Sequence, residues 1–190
     1  MRNVGSAITV PGVVEAGIDV VEVAEPSKAD LVNAIRTSPR LVKGSLRAVD
    51  LSDADLSGAR LQAADLTSAD LFGADLSGAD LFDAVLVDAV LFGTVLRTAD
   101  LSGATLRGAN LQLADLTRAD LFRADLAGAV LGGVGSFGAS LTGAILAEAD
   151  LSGAVLDGVD LRGAVLTGAR LGAGFDARSV KHDTTTIWPS

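Results

Sequence analysis

The hydrophobic pattern of this chain has a period of five. Leucine recurs at every fifth position from Leu41 to Leu171; 26 of the 27 positions in that register are Leu, and Ser136 alone departs. Two residues before each Leu the chain is small and apolar, with Ala at 21 of the 26 positions from Gly44 to Ala169. The residue between them is often acidic, as in Asp55, Asp65, Asp70 and Asp75. In most pentads the two after Leu include Gly, Ser or Thr, as in Ser57-Gly58 and Ser77-Gly78. The stretch ADLTSADLFGADLSGADLF, residues 64–82, shows the repeat at its plainest.

A period of five fits neither regular element. On an α-helix five residues rotate a side chain through ~500°, so successive leucines precess by ~140° and form no stripe. The Gly, Asp and Ser content is also poor for a helix. On a continuous strand an odd period sends successive leucines to opposite faces. A short extended segment followed by a corner, repeated, satisfies the pattern. Ala and Leu, two apart, then point into one core, the residue between them points out, and the next two turn the chain. Each Leu so buried contributes about 1.5–3 kcal/mol.

Tandem Ala-Asp/Asn-Leu-x-x resembles the pentapeptide-repeat proteins, over about 135 of the 190 residues. The resemblance implies an all-β fold: a right-handed quadrilateral parallel β-helix with four pentads per coil. Residues 41–175 then make about seven coils, a rod of roughly 32 Å at ~4.8 Å per rung.

A solenoid exposes its core and unpaired backbone at both ends, so it needs caps. SKADLVNAIRTSP, residues 27–39, predicts a capping helix over about 27–38. Ser27 is its N-cap, Asp30 the capping-box partner, Leu31, Ile35 and Val32 its buried face, and Pro39 its stop. Residues 1–26 hold the β-branched runs ITV and VVEV around Pro11-Gly12, as short strands or an arm. After Leu171 the register ends, and the tail resembles the family's closing segment. Phe175, Val180, Ile187 and Trp188 are expected over the last coil, with His182 and Trp188 as cap residues rather than ligands. The chain thus divides into an N-terminal segment and helix (1–40), the solenoid (41–175) and a capping tail (176–190).

Stacked 20-residue coils would bring residue n beside n+20. Three surface features follow. Asp80, Asp100 and Asp120 make an acidic ladder on one face, with Asp160 two coils on. Like charges at that spacing repel, and Asp also suits the outward slot for solubility. In AVLVDAVLFGTVL, residues 84–96, Val85, Val90 and Val95 replace the outward Asp. Phe72 and Phe92 are expected to stack there, and with Val87 and Val90 they form an apolar patch suited to a dimer or partner. Phe82 and Phe122 share the opposite face. Finally, LGGVGSFGAS, residues 131–140, puts Ser136 in a Leu slot without changing the register. Phe137 is expected to swing inward to fill the space, with the flanking glycines permitting a kink.

Composition narrows the function. The chain has 49% hydrophobic residues but only 4% aromatic, no cysteine and one histidine. Thiolate chemistry and Cys-based zinc sites are therefore excluded, and a reducing, cytoplasmic setting fits. No metal cluster, cofactor loop or catalytic constellation is evident, so neither an enzyme nor a cofactor is expected. A net charge of −9 argues against direct nucleic-acid binding and favours a basic protein partner. The N-terminus does not read as a signal peptide, and the uncharged stretch 126–147 keeps the repeat register rather than forming a membrane helix.

The expected role is a non-enzymatic protein-interaction or scaffold solenoid acting through its outer surface, with a homodimer as one form. The resemblance implies an alternative, a DNA-mimicking binder of DNA gyrase or another type II topoisomerase that protects it from quinolones or other poisons. Arg97, Arg107, Arg118 and Arg123 interrupt the acidic surface on which that alternative depends. An enzyme is the remote third reading.

Overall fold

The structure, a computed structural model, describes residues 27–37 and 46–190. The expected strands in 1–26, the helix stop at Pro39 and the first register leucine, Leu41, lie outside these residues. The solenoid is built from one local event repeated. In every pentad from Leu51 to Ala169, the N–H of the Ala-slot residue donates to the carbonyl of the Leu-slot residue three before it, as Ala74 does to Leu71 at 3.0 Å and Ala139 to Ser136 at 2.9 Å. The residue just before the Ala slot has positive φ at every corner from Ala48 (53°) to Gly168 (70°). A turn closed in this way, with positive φ at its third residue alone, is type II. Glycine takes that conformation without strain, as Gly78 does at 64°. Arg118 and Glu148 hold it at 59°, at a cost of roughly 1–2 kcal/mol each.

Between corners the backbone is extended only briefly, and each outward residue forms one rung of a parallel ladder. Asp50 pairs with Asp70, Asp70 with Val90 and Val90 with Asn110, always 20 residues on, so four pentads make one coil. Asp70 illustrates a rung: its N–H donates to Val49 O at 2.9 Å and its carbonyl accepts from Leu51 N at 2.7 Å. Corners bond to corners as well, as Asp53 N–H does to Phe72 O at 2.7 Å. Most rungs are one residue wide; β1 (Asp150–Leu151) and β2 (Arg170–Leu171) pair in parallel over two. A sheet so finely divided is held by its ladder and by the column of leucines inside, from Leu46 to Leu166, nearly all wholly buried.

Two polar residues sit inside this column. Thr94 takes an Ala slot, and its hydroxyl donates to Leu71 O at 2.8 Å. Ser136 takes a Leu slot and is also buried; its hydroxyl donates to Val155 O at 2.6 Å. The expectation for Phe137 is overturned, since its side chain is 59% exposed. The Ser136 hydroxyl finds a carbonyl in the next coil, the type II corner persists at Gly138 (φ 68°), and the corner directs Phe137 outward.

At the N-terminal end lies α1 (Lys28–Thr37). Ser27 and Asp30 exchange hydrogen bonds across its first turn: Asp30 N–H donates to Ser27 Oγ at 3.2 Å, and Ser27 N–H donates to Asp30 Oδ2 at 3.3 Å. Leu31 and Ile35 join the leucine core, and Val32 packs against it. Lys28 Nζ pairs with Asp50 at 2.8 Å, and Arg36 pairs with Asp55. Hydrogen bonds from Lys28 and Ser52 bring the Asp50 pKa down to about 2. Those from the Ser57 hydroxyl, the Ser57 backbone and Arg36 do the same for Asp55, also to about 2.

At the other end the ladder continues further than the leucines do. Lys181 pairs with Asp160 and Ile187 with Val165, at offsets of 21 and 22 residues rather than 20. Val180 and Thr186 thereby stand in Ala slots, and both are buried; Thr186 Oγ1 donates to Leu161 O at 2.9 Å. Phe175 and Trp188 pack against the core with ring centroids 5.7 Å apart, and His182 meets Trp188 edge-on at 5.3 Å. Between them a 3-10 turn, Ala177–Ser179, is capped by Asp176.

Candidate interaction surface

Because every rung fixes one outward side chain, the surface reads as columns. Asp80, Asp100 and Asp120 are consecutive rungs of one column, followed by Ser140 and then Asp160. The carboxylates have a local task. Asp80 Oδ1 accepts the N–H of Phe82 at 3.2 Å, Asp100 that of Ser102 at 2.9 Å and Asp120 that of Phe122 at 3.0 Å. The same two-residue reach recurs at Asp50, Asp55, Asp65, Asp70, Asp75, Asp115, Asp125 and Asp150. Aspartate in the outward slot thus satisfies the first N–H of each corner, as Asx turns do.

Charge along the columns is uneven. Among the described residues Asp80, Asp100 and Asp120 have no ion-pair partner. Asp160 does: Arg162 pairs with it at 2.7 Å, and that hydrogen bond, against the opposing effect of burial, holds its pKa below the ordinary value. Elsewhere a corner arginine reaches across to the next coil. Arg97 pairs with Asp115 and Arg107 with Asp125, both at 2.6 Å. Burial raises the Asp115 pKa, but hydrogen bonds from Thr117 and Arg97 outweigh it and the net shift is downward. Arg123 lies over the Phe122 ring, 5.0 Å from its centroid.

The aromatic column differs in kind. Phe72 and Phe92 stack with centroids 5.7 Å apart and planes 4° from parallel. Phe72 is 47% exposed, Val90 beside it is exposed, and Val87 and Phe92 are half-buried. None of the four belongs to the leucine core. Phe82 and Phe122 are exposed on the opposite side, and Ser102 occupies the corner between them. The ladder brings together Phe72 with Phe92 and Asp80 with Asp100 and Asp120. Asp160 and Phe137 stand apart from both groups.

Chemically this surface offers side chains for contact. Among the described residues no group of His, Asp or Glu is placed to hold a metal ion, and no helix is long and apolar enough to cross a membrane. Sequence reasoning missed the corner-capping role of Asp, whose signal was its place two residues before the turn's second position. It also missed the ladder in the tail, because offsets of 21 and 22 break the five-residue register.

The family model for pentapeptide repeats matches in eight copies, over residues 50–86, 84–121, 99–134 and 137–172. The chain belongs to the pentapeptide-repeat family. Solved structures of such proteins resemble it. HetL, a pentapeptide repeat protein involved in heterocyst differentiation regulation from Nostoc sp. strain PCC 7120, is 34% identical over 72% of this chain and 73% of its own, with a TM-score of 0.38. A pentapeptide repeat protein of the Arabidopsis thaliana thylakoid lumen is 32% identical over 58% of this chain and 70% of its own, at 0.31. QnrB1, a plasmid-mediated fluoroquinolone resistance protein, is 21% identical over 71% of this chain and 84% of its own, at 0.41. Comparison with curated proteins finds no match.

Proposed function

We propose that this pentapeptide-repeat protein is a non-enzymatic, cytoplasmic interaction module that binds a protein partner through the side wall bearing Phe72, Val87, Val90 and Phe92. The stacked Phe72–Phe92 pair carries this reading. Two rings outside the leucine core stabilise the solenoid little, and stacked aromatics beside valine are the kind of anchor on which interfaces concentrate their energy. In this reading the solenoid over 41–175 is right-handed with about seven coils, α1 within 1–40 caps one end, and the tail 176–190 caps the other. A second copy of the chain is one partner the wall suits. Sedimentation velocity of wild type against Phe92→Asp tests that case, where an unchanged mass rules the wall out as a dimer interface. Capture of a partner from the native host that survives Phe92→Asp overturns the reading as a whole.

A second reading, a DNA-mimicking binder of gyrase or another type II topoisomerase, draws support from the three unpaired rungs Asp80, Asp100 and Asp120. Its acidic run is short, and the pairing of Arg97 with Asp115 and of Arg107 with Asp125 neutralises neighbouring columns. A supercoiling assay with and without a quinolone decides it: no effect at micromolar protein removes this reading.

A further inference from the structure

One side of the last coil lacks its rung. Asp150 is covered by Arg170, Asp160 by Lys181 and Val165 by Ile187, whereas Val155 pairs with Gly135 behind it and, among the described residues, with nothing ahead. The chain that would cover it runs from Gly172 to Ser179 but bows away, turning where Phe175 N–H bonds to Gly172 O at 3.0 Å. In a complete rung the carbonyl of the Ala slot accepts from the coil ahead, and the N–H of the Leu slot donates to it, as Ala54 O does with Asp75 N and Leu56 N with Asp75 O. Here Ala154 O and Leu156 N have no backbone partner among the described residues, although Leu156 is 94% buried, its relative exposure being 6%. Between the rung and the bowed segment lies a cleft of about 320 Å³, lined by Leu151, Ala154, Leu156 and Phe175 and by the carboxylates Asp157 and Asp176. Among the described residues no Lys or Arg lines it, and a side chain placed on Gly174 would meet open space.

We propose that this notch binds an extended, basic peptide segment of a partner protein by parallel strand addition. One peptide residue supplies both missing bonds: its N–H donates to Ala154 O and its carbonyl accepts from Leu156 N–H. The pleat of the ladder sets its neighbours, a small residue before it over Ala154 and an aliphatic one after it over Leu156. Ser179 already covers the corner beyond, its carbonyl accepting from Gly158 N–H at 2.7 Å, so the next residue leaves the ladder and passes the carboxylates of Asp157 and Asp176. A lysine or arginine there meets Asp157 with opposite charge. The notch lies three rungs from Val95, beyond the Phe72–Phe92 wall, and the proposal stands independently of the function proposed for that wall.

The test uses the full chain, isotope-labelled, with the synthetic peptide acetyl-Ser-Ala-Thr-Leu-Arg-Lys-amide at millimolar concentration. Amide hydrogen exchange at Leu156 is expected to slow at least ~10-fold on binding, with chemical-shift changes confined to Val155–Asp157 and Gly172–Ser179. The peptide carrying Pro in place of Thr lacks the donor N–H and is expected to give no protection. Asp157→Lys, at an exposed corner, is expected to weaken binding ~5-fold or more, while Phe92→Asp leaves it unchanged. The proposal is overturned by any of four results: no binding; equal binding of the Pro peptide; a Leu156 amide in the free protein already as protected as that of Leu151; or shifts that map elsewhere.

Discussion

The wall of Asp80, Asp100 and Asp120 and the wall of Phe72 and Phe92 are built on the same ladder, yet the fold needs only one of them. Each aspartate caps its own corner by accepting the N–H two residues on. Its presence is explained locally, and its charge is a by-product of using the shortest side chain that reaches. Phe72 and Phe92 cap nothing and lie outside the core; their rings stack on each other and face solvent on one side. On a surface where every outward residue is fixed by the backbone, a stacked pair that the backbone does not require is the feature on which the proposed partner wall rests.

The comparison breaks first if the two walls rest on different cores. Leu91→Ala lies beneath the aromatic wall and Leu101→Ala beneath the acidic one, and both leucines are fully buried. Each is expected to cost about 2–5 kcal/mol by chemical denaturation, and similar losses show that the interior is uniform. Ser136→Leu should move stability the other way, by about 1 kcal/mol. A buried leucine side chain is gained and one hydrogen bond is lost, while Val155 O keeps its bond from the residue 136 backbone. A lower melting temperature would mean that the slot has closed around serine.

Smaller changes separate capping from charge. Asp100→Ala removes the acceptor for Ser102 N–H and should cost about 1 kcal/mol, whereas Asp100→Asn keeps an acceptor and should cost a few tenths at most. Equal losses would show that charge, not capping, is what the slot requires. Acid gives a related readout at the N-terminal end. The Asp50 and Asp55 pKa values are lowered to about 2 in the folded chain, against about 3.9 when unfolded. Their contribution is therefore full above the unfolded value and lost as pH falls through the window from ~4 to ~2. Circular dichroism should show α1 loosening across that window, with Lys28→Met and Arg36→Met flattening the response.

Much of the fold was legible because a five-residue period admits so few solutions. The stacking of Phe72 on Phe92 followed once coils of 20 residues were assumed, and that number came from family resemblance rather than from periodicity. Other features were hidden for physical reasons. Arg118 and Glu148 tolerate a left-handed corner only because the ladder and core around them hold it, so composition does not reveal it. Phe137 reads as a filler for the Ser136 slot until the hydroxyl is seen to have its own acceptor. The tail conceals its rungs because the insertions that place Lys181 and Ile187 destroy the register by which rungs are recognised.

The central claim, that the aromatic wall and not the acidic one engages a partner, is tested most directly by one binding comparison. Wild type, Phe72→Asp/Phe92→Asp and Asp100→Asn/Asp120→Asn are each immobilised, and retention of the same native-host protein is measured alongside thermal melting. The account predicts at least ~30-fold weaker retention for the phenylalanine pair, as expected for the loss of an aromatic anchor, unchanged retention for the asparagine pair, and melting temperatures within a few degrees for all three. Retention lost with the asparagine pair and kept with the phenylalanine pair would contradict it.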